Sequence, residues 1–178
     1  QTVVAAKANV ETLTALLDGR LVTGDAVLFE DFRAALRGLA RRQRRWLATQ
    51  LAERRHARVQ AEPWQLASPD LKAGRGGLRD LHSLRWLDRM EILARGTERV
   101  FRPALGLGFD EKRHPAGKRN SSLETARETL LATRTALHSL SDQPDDQLHH
   151  DLAPTIADWL GEESEQWSRQ LFGALRTI

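Results

Sequence analysis

Residues 70–89 read Asp70-Leu71-Lys72-Ala73-Gly74-Arg75-Gly76-Gly77-Leu78-Arg79-Asp80-Leu81-His82-Ser83-Leu84-Arg85-Trp86-Leu87-Asp88-Arg89. The stretch joins a glycine cluster bearing Lys72, Arg75 and Arg79 to an apolar repeat: Leu78, Leu81, Leu84, Leu87 and Met90, with Trp86 and Leu93 nearby. Such a repeat predicts a helix packed in a core. Gly76 and Gly77 free the backbone for close approach to a ligand and would leave amide N–H groups open at a helix start, where anions are favoured. Lys72, Arg75 and Arg79 carry charges suited to phosphate oxygens. Asp80 falls in the first helical turn, where the dipole favours a carboxylate. The same residues also describe a tight turn with Arg79 paired to a neighbour, and spacing by itself does not choose between the two.

Upstream, Leu13, Leu16 and Leu17 keep helical spacing, and Thr23-Gly24-Asp25 is a turn whose Asp25 can cap the next helix. That helix has the apolar stripe Leu28, Phe29, Phe32, Leu36 and Leu39. From Arg37 to Arg58 the chain is dense in arginine, with Trp46, Leu47 and Leu51 on an apolar side. This predicts an amphipathic helix with a basic face, either solvated or paired with acidic neighbours. Pro63 and Pro69 bracket an extended connector.

Downstream of the glycine motif, residues 96–122 read as a long loop with one short helix. Ser122 is a good N-cap for a helix from Leu123 to Leu140. An acidic turn over 141–146 follows, then a short helix from Leu148 to Leu160 that Pro154 interrupts and Gly161 closes. A last amphipathic helix runs from Glu162 to Ile178, with Trp167, Leu171, Phe172 and Leu175 inward. No run shows sustained β alternation. The expected fold is mainly α, a bundle of six or seven helices.

At 178 residues the chain can bury a real core. Its mean hydropathy of -0.49, 40% hydrophobic and 29% charged residues fit a soluble globular protein. No apolar run is long enough for a membrane helix, and no signal-peptide layout stands at the N-terminus. The absence of an initiator Met leads to the expectation that the chain starts inside a longer protein. There is no cysteine, which removes disulfides, thiolate catalysis and Cys-based zinc sites, and is compatible with a cytoplasmic location. The formal charge is only +3, and the basic residues are nearly all arginine, as in chains from GC-rich genomes. No nucleic-acid reader motif accompanies that charge, so neither a nucleic acid nor a membrane is expected as partner.

Two apparent motifs fail on spacing. Ala116-Gly117-Lys118-Arg119 lacks the upstream glycine and the following Ser or Thr of a phosphate-binding loop. His149-His150-Asp151 hints at a metal-dependent phosphohydrolase, but the other histidines form no ligand-spaced set.

Residues 69–89 resemble the signature of bacterial PII uridylyltransferases, in which Pro-Asn/Asp-Leu/Ile-Lys runs into Gly-Gly-Leu-Arg-Asp and a Leu- and Trp-containing helix. A second segment, Leu16-Leu17-Asp18-Gly19-Arg20-Leu21-Val22-Thr23-Gly24-Asp25, is similar to the family's Leu-x-Glu/Asp-x-Arg-Leu-x-x-Gly-Asp. A third, weaker match is Arg134-Thr135-Ala136-Leu137-His138 followed by Asp146-Gln147-Leu148 and Asp151. Their order and spacing agree with the family over roughly residues 10–160.

The resemblance implies a nucleotidyltransferase that uses an acidic triad and Mg²⁺ to move UMP, or AMP, from UTP or ATP to a tyrosine of the PII nitrogen-signalling protein. It implies that Asp18 is the third catalytic carboxylate and a metal ligand, with Arg20 close by. Lys72, Gly76, Gly77 and Arg79 would face the nucleotide, and Asp80 would orient Arg79. Residues 1–30 would be the end of the nucleotidyltransferase domain and 31–178 its associated helical domain.

The chain departs from the pattern in places. Ala73 and Arg75 replace a usual Glu and Pro, Ala153 stands where Gln is frequent, and Asp18 stands where Glu is common. The Asp-x-Asp segment that supplies the first two carboxylates does not occur in this sequence. The chain is therefore expected to be inactive by itself. The alternatives are a noncatalytic helical interaction module and a part of a glutamine-synthetase adenylyltransferase, which shares a shorter Gly-Gly-Ile-Arg-Asp.

Overall fold

The computed structural model describes residues 9–61, 68–95, 117–141 and 145–178. The connector expected around Trp64 and most of the long loop expected over 96–122 lie outside these residues. Six α-helices occur among them: α1 (Val10–Leu17), α2 (Ala26–Ala61), α3 (Leu78–Arg95), α4 (Gly117–Leu140), α5 (Ala153–Leu160) and α6 (Ser164–Thr177). A single 3₁₀ turn, His150–Leu152, precedes α5. No strand occurs among the described residues. The only sheet-like feature there is an antiparallel bridge between Asp70 and Gln147. The all-α expectation is borne out.

The chain divides into two compact units: Gln1–Arg54 with Ser83–Pro103, and Arg55–His82 with Ala104–Ile178. In the first, Val10, Leu13 and Leu17 of α1 meet Leu36, Leu39, Leu47 and Leu51 of α2 and Met90 and Leu93 of α3. The Asn9 side chain caps α1 by accepting from the Thr12 N–H at 2.7 Å. Asp25 caps α2 as expected, its Oδ1 accepting from the N–H groups of Val27 and Leu28. The expected stripe on α2 starts too early at Leu28, which is 69% exposed, whereas Phe32 packs against the core as expected and full burial begins at Leu36. The arginine face pairs with acids within this unit, through Arg44 to Glu91 and Arg54 to Glu11.

In the second unit, Leu71, Leu78 and Leu81 share a core with Leu130 and Leu137 of α4, Ile156 of α5, and Trp167 and Leu171 of α6. Trp167 is fully enclosed, and its indole N–H is satisfied by the buried hydroxyl of Thr133 at 3.2 Å.

Three expectations are corrected. First, α4 begins at Gly117, so the helix extends through Ser122, which is not its N-cap. Once a helix is nucleated, each added residue gains a hydrogen bond at little further cost, and serine does not stop it. Second, Pro154 does not interrupt a helix but sits in the first turn of α5, where its missing N–H costs nothing. Gly161 then closes α5 in a left-handed conformation, φ 71°. Third, the three-residue repeat of α3 is not one buried face. A strict spacing of three precesses round a helix of 3.6 residues per turn. Leu78 and Leu81 therefore join the second core and Met90 and Leu93 the first, while Leu84 between them is 42% exposed.

Candidate functional site: the glycine turn and its carboxylates

The turn over 70–80 is built from its own main chain. The Asp70 carboxylate accepts from the N–H groups of Lys72 and Ala73 at 2.8 and 2.7 Å, and its carbonyl accepts from Gly74. This Asx-type arrangement winds the chain into a compact knot. The knot hands over to α3 through Gly77 N–H to Gly74 O, Leu78 N–H to Leu71 O and Arg79 N–H to Lys72 O. The Gly76 N–H donates to the Asp80 carboxylate at 3.0 Å, a reach-back of the capping-box kind. The amides expected to stand open for a ligand are thus committed within the turn.

Gly76 is glycine for a different reason from the one its sequence context gave. Its φ is +74°, and a Cβ there would lie 1.8 Å from the carbonyl oxygen of Leu175 in α6. The close approach that glycine permits is to the protein's own backbone. Gly77 is hemmed in similarly: a Cβ there would stand 2.9–3.0 Å from the carbonyl oxygens of Leu71, Gly74 and Lys72.

Asp80 is buried, and its hydrogen bonds go to Arg55 Nε (2.9 Å), Arg58 Nη2 (2.7 Å) and the Gly76 N–H. Arg58 also donates to the Ala73 carbonyl. Sequence reasoning placed Arg55 and Arg58 on a generic basic face and attached Asp80 to Arg79. Their periodicity on α2 showed only that they were helical, not which acid they would meet. Lys72 is half-exposed, and Arg75 and Arg79 are exposed.

A second carboxylate brings two sequence motifs together. Leu71 N–H donates to Asp146 O and Leu148 N–H to Pro69 O, zippering 146–148 onto 69–71. This places the Asp146 side chain against Lys72 Nζ at 3.3 Å, Arg134 Nε at 2.5 Å and His138 Nε2 at 2.9 Å. Burial opposes ionisation of Asp146, but hydrogen bonds from Arg134, His138 and Lys72 outweigh it and hold the carboxyl below the usual aspartate range. Lys72 of the glycine motif and Arg134, His138 and Asp146 of the third motif thus form one cluster.

Asp18 belongs to the other unit. It closes α1, is half-exposed, and its carboxylate accepts from Arg89 Nη1 at 2.6 Å and from the Trp86 indole at 3.3 Å. Arg89 also donates to Leu17 O, fixing the end of α1. Arg20 is exposed in the loop that follows. Mg²⁺ requires an octahedral set of oxygen ligands. Asp18 already holds a cation and an indole, and no group of three metal-ligating side chains occurs among the described residues. These residues do not make a magnesium site by themselves.

Residues 40–178 match the family described as GlnD PII-uridylyltransferase, covering the whole of the turn, its carboxylates Asp70, Asp80 and Asp146, and α3 to α6. The chain belongs to this family. Relatives named bifunctional uridylyltransferase/uridylyl-removing enzyme include that of Erythrobacter litoralis, 32% identical over 157 residues, which are 86% of this chain and 16% of the relative. That of Aromatoleum aromaticum is 32% identical over 161 residues, 90% of this chain and 18% of the relative. That of Caulobacter vibrioides is 33% identical over 152 residues, 83% of this chain and 15% of the relative. The chain thus spans less than a fifth of the length of these uridylyltransferase relatives. No solved structure matches it. Within the uridylyltransferase family match lie both the Asp80 clamp and the Asp146 cluster, whereas Asp18 and Arg20 precede it.

Proposed function

We propose that this chain is part of a nucleotidyltransferase that moves UMP, or AMP, from a nucleoside triphosphate to a tyrosine hydroxyl of a PII signalling protein. Residues 1–30 are the end of its catalytic domain and 31–178 the associated helical domain. The observation that supports this reading best is the rigid glycine turn, which carries Lys72 and Arg79 outward while its own amides and Asp80 are committed to holding its shape.

In the transfer, the acceptor oxygen bonds to the α-phosphorus and the bond from that phosphorus to the bridging oxygen breaks. Pyrophosphate leaves, and the hydroxyl proton passes to a base or to water. Negative charge accumulates on phosphate oxygens, and fixed cations stabilise it. Lys72 and Arg79 supply such charge from the turn; Arg20 is assigned to the nucleotide by the family resemblance alone. Gly76 and Gly77 act by shaping the turn rather than by touching phosphate.

The test combines transfer and binding. With radiolabelled UTP or ATP, PII protein and Mg²⁺, the chain alone is expected to label nothing, and labelled PII would refute its inactivity. In equilibrium dialysis with UTP, Lys72→Ala and Arg79→Ala should each weaken binding about tenfold, the order of one charge-assisted phosphate contact. Unchanged binding in both variants would remove the phosphate role.

A further inference from the structure

We propose that Arg134 is a second cation of the phosphate site headed by Lys72, and that Asp146 is the positioning residue that holds the two side by side. This rests on the reading of Lys72 given above and extends it to a different helix. Lys72 Nζ binds Asp146 Oδ2, while Arg134 Nε and His138 Nε2 both meet Oδ1. One carboxylate is therefore shared by two permanent cations and an imidazole, leaving a net positive charge even when His138 is neutral.

The cluster is not sealed. The Lys72 side chain is 45% exposed and that of Arg134 30%, while Asp146 is 16% exposed. Both cations are thus more exposed than the carboxylate that joins them. Among the described residues, Asp146 is the group that both cations bond. Engaged through Nε, Arg134 keeps the paired amino groups of its guanidinium for a second acceptor, and that fork matches two phosphate oxygens. Lys72 adds a point charge beside it.

The arrangement is fixed from both sides. The 146–148 segment is zippered to the glycine turn, and Arg134 and His138 lie one turn apart on α4, which is anchored by Leu130 and Leu137 in the core. Two cations that would repel each other are thus pre-set at one spacing, so a polyphosphate does not have to order them. The ligand class is an oligophosphate, such as the phosphate tail of a nucleoside triphosphate.

The experiment uses this 178-residue chain and inorganic tripolyphosphate. Calorimetry measures affinity in wild type, Lys72→Ala, Arg134→Ala and Arg134→Lys. Proton NMR follows the His138 imidazole, assigned by the resonance lost in His138→Gln. The expected result is a loss of about tenfold in Arg134→Ala and partial recovery in Arg134→Lys. In wild type, bound tripolyphosphate should move the His138 ring-proton resonances, because His138 shares the Asp146 carboxylate with both cations. If Arg134 served only to hold Asp146 in place, folded Arg134→Ala would be less stable in urea but would bind tripolyphosphate as wild type does.

If Lys72→Ala weakens binding but Arg134→Ala does not, the inference fails while the role of Lys72 stands. If nothing binds up to about 10 mM, or if Lys72→Ala binds normally, the underlying reading fails as well. Should Arg134→Ala not fold, Arg134→Lys decides the matter: affinity several-fold below wild type supports the fork of Arg134, and wild-type affinity overturns it.

Discussion

Gly76 and Gly161 have nearly the same left-handed backbone, φ +74° and +71°, but different surroundings. At Gly161 nothing lies within 4 Å of an added Cβ, whereas at Gly76 the Leu175 carbonyl would be struck. Gly161→Ala should therefore cost only the left-handed conformational penalty, about 1 kcal/mol. Gly76→Ala should cost about 3 kcal/mol or more, since displacement of the α6 backbone is added to it. Urea unfolding of the two variants separates the terms, and equal losses would mean that α6 does not press on the turn. Asp80 belongs to the same scale. Its buried carboxylate satisfies a main-chain N–H and two guanidinium groups at once, so its role is to keep the turn closed.

Two elements that are far apart in sequence meet at Asp146. The carboxylate is held ionised by Arg134, His138 and Lys72 despite its burial, so its folded-state pKa lies below the unfolded value. Protons then bind the unfolded chain more readily than the folded one. The stabilisation is complete above the unfolded aspartate value of about 3.9 and is lost as pH falls through the lower folded value. Urea midpoints measured from pH 7 to pH 2 should fall more steeply below pH 4 in wild type than in Asp146→Asn, which should also be less stable at neutral pH. Parallel curves would mean that Asp146 is not held by these cations. The helices obey simpler rules: α1 and α6 are capped by Asn9 and Glu163, and α5 by Gly161, each satisfying end groups that the helix leaves unbonded.

At the scale of the molecule, the buried apolar residues among those described fall into two clusters, one on α1, α2 and the end of α3, the other on the glycine turn, the start of α3 and α4 to α6. Each should behave as a local unit of stability. Leu39 and Leu171 are both fully buried, one in each cluster. Truncation of either to Ala should cost about 2–5 kcal/mol locally. Native-state hydrogen exchange should place the effect of Leu171→Ala in α4 to α6 and that of Leu39→Ala in α1 and the first half of α2. Exchange accelerated uniformly by either variant would mean a single cooperative core.

Most of the helices are legible as local patterns, since caps, turn residues and apolar spacing act over a few residues, although the starts of α4 and α5 are not. The sequence by itself located the glycine turn, Asp25 as a cap and Gly161 as a helix end. Its family resemblance pointed to the group in which the chain is found. How those parts are used follows from packing. That Gly76 admits the backbone of Leu175, that Asp80 clamps Arg55 and Arg58, and that Asp146 draws Lys72 to Arg134 and His138 are all contacts between segments that no periodicity links. A pattern records which face of a helix is apolar. Which carboxylate a surface arginine finds depends on where a distant segment comes to rest, and that is fixed by packing.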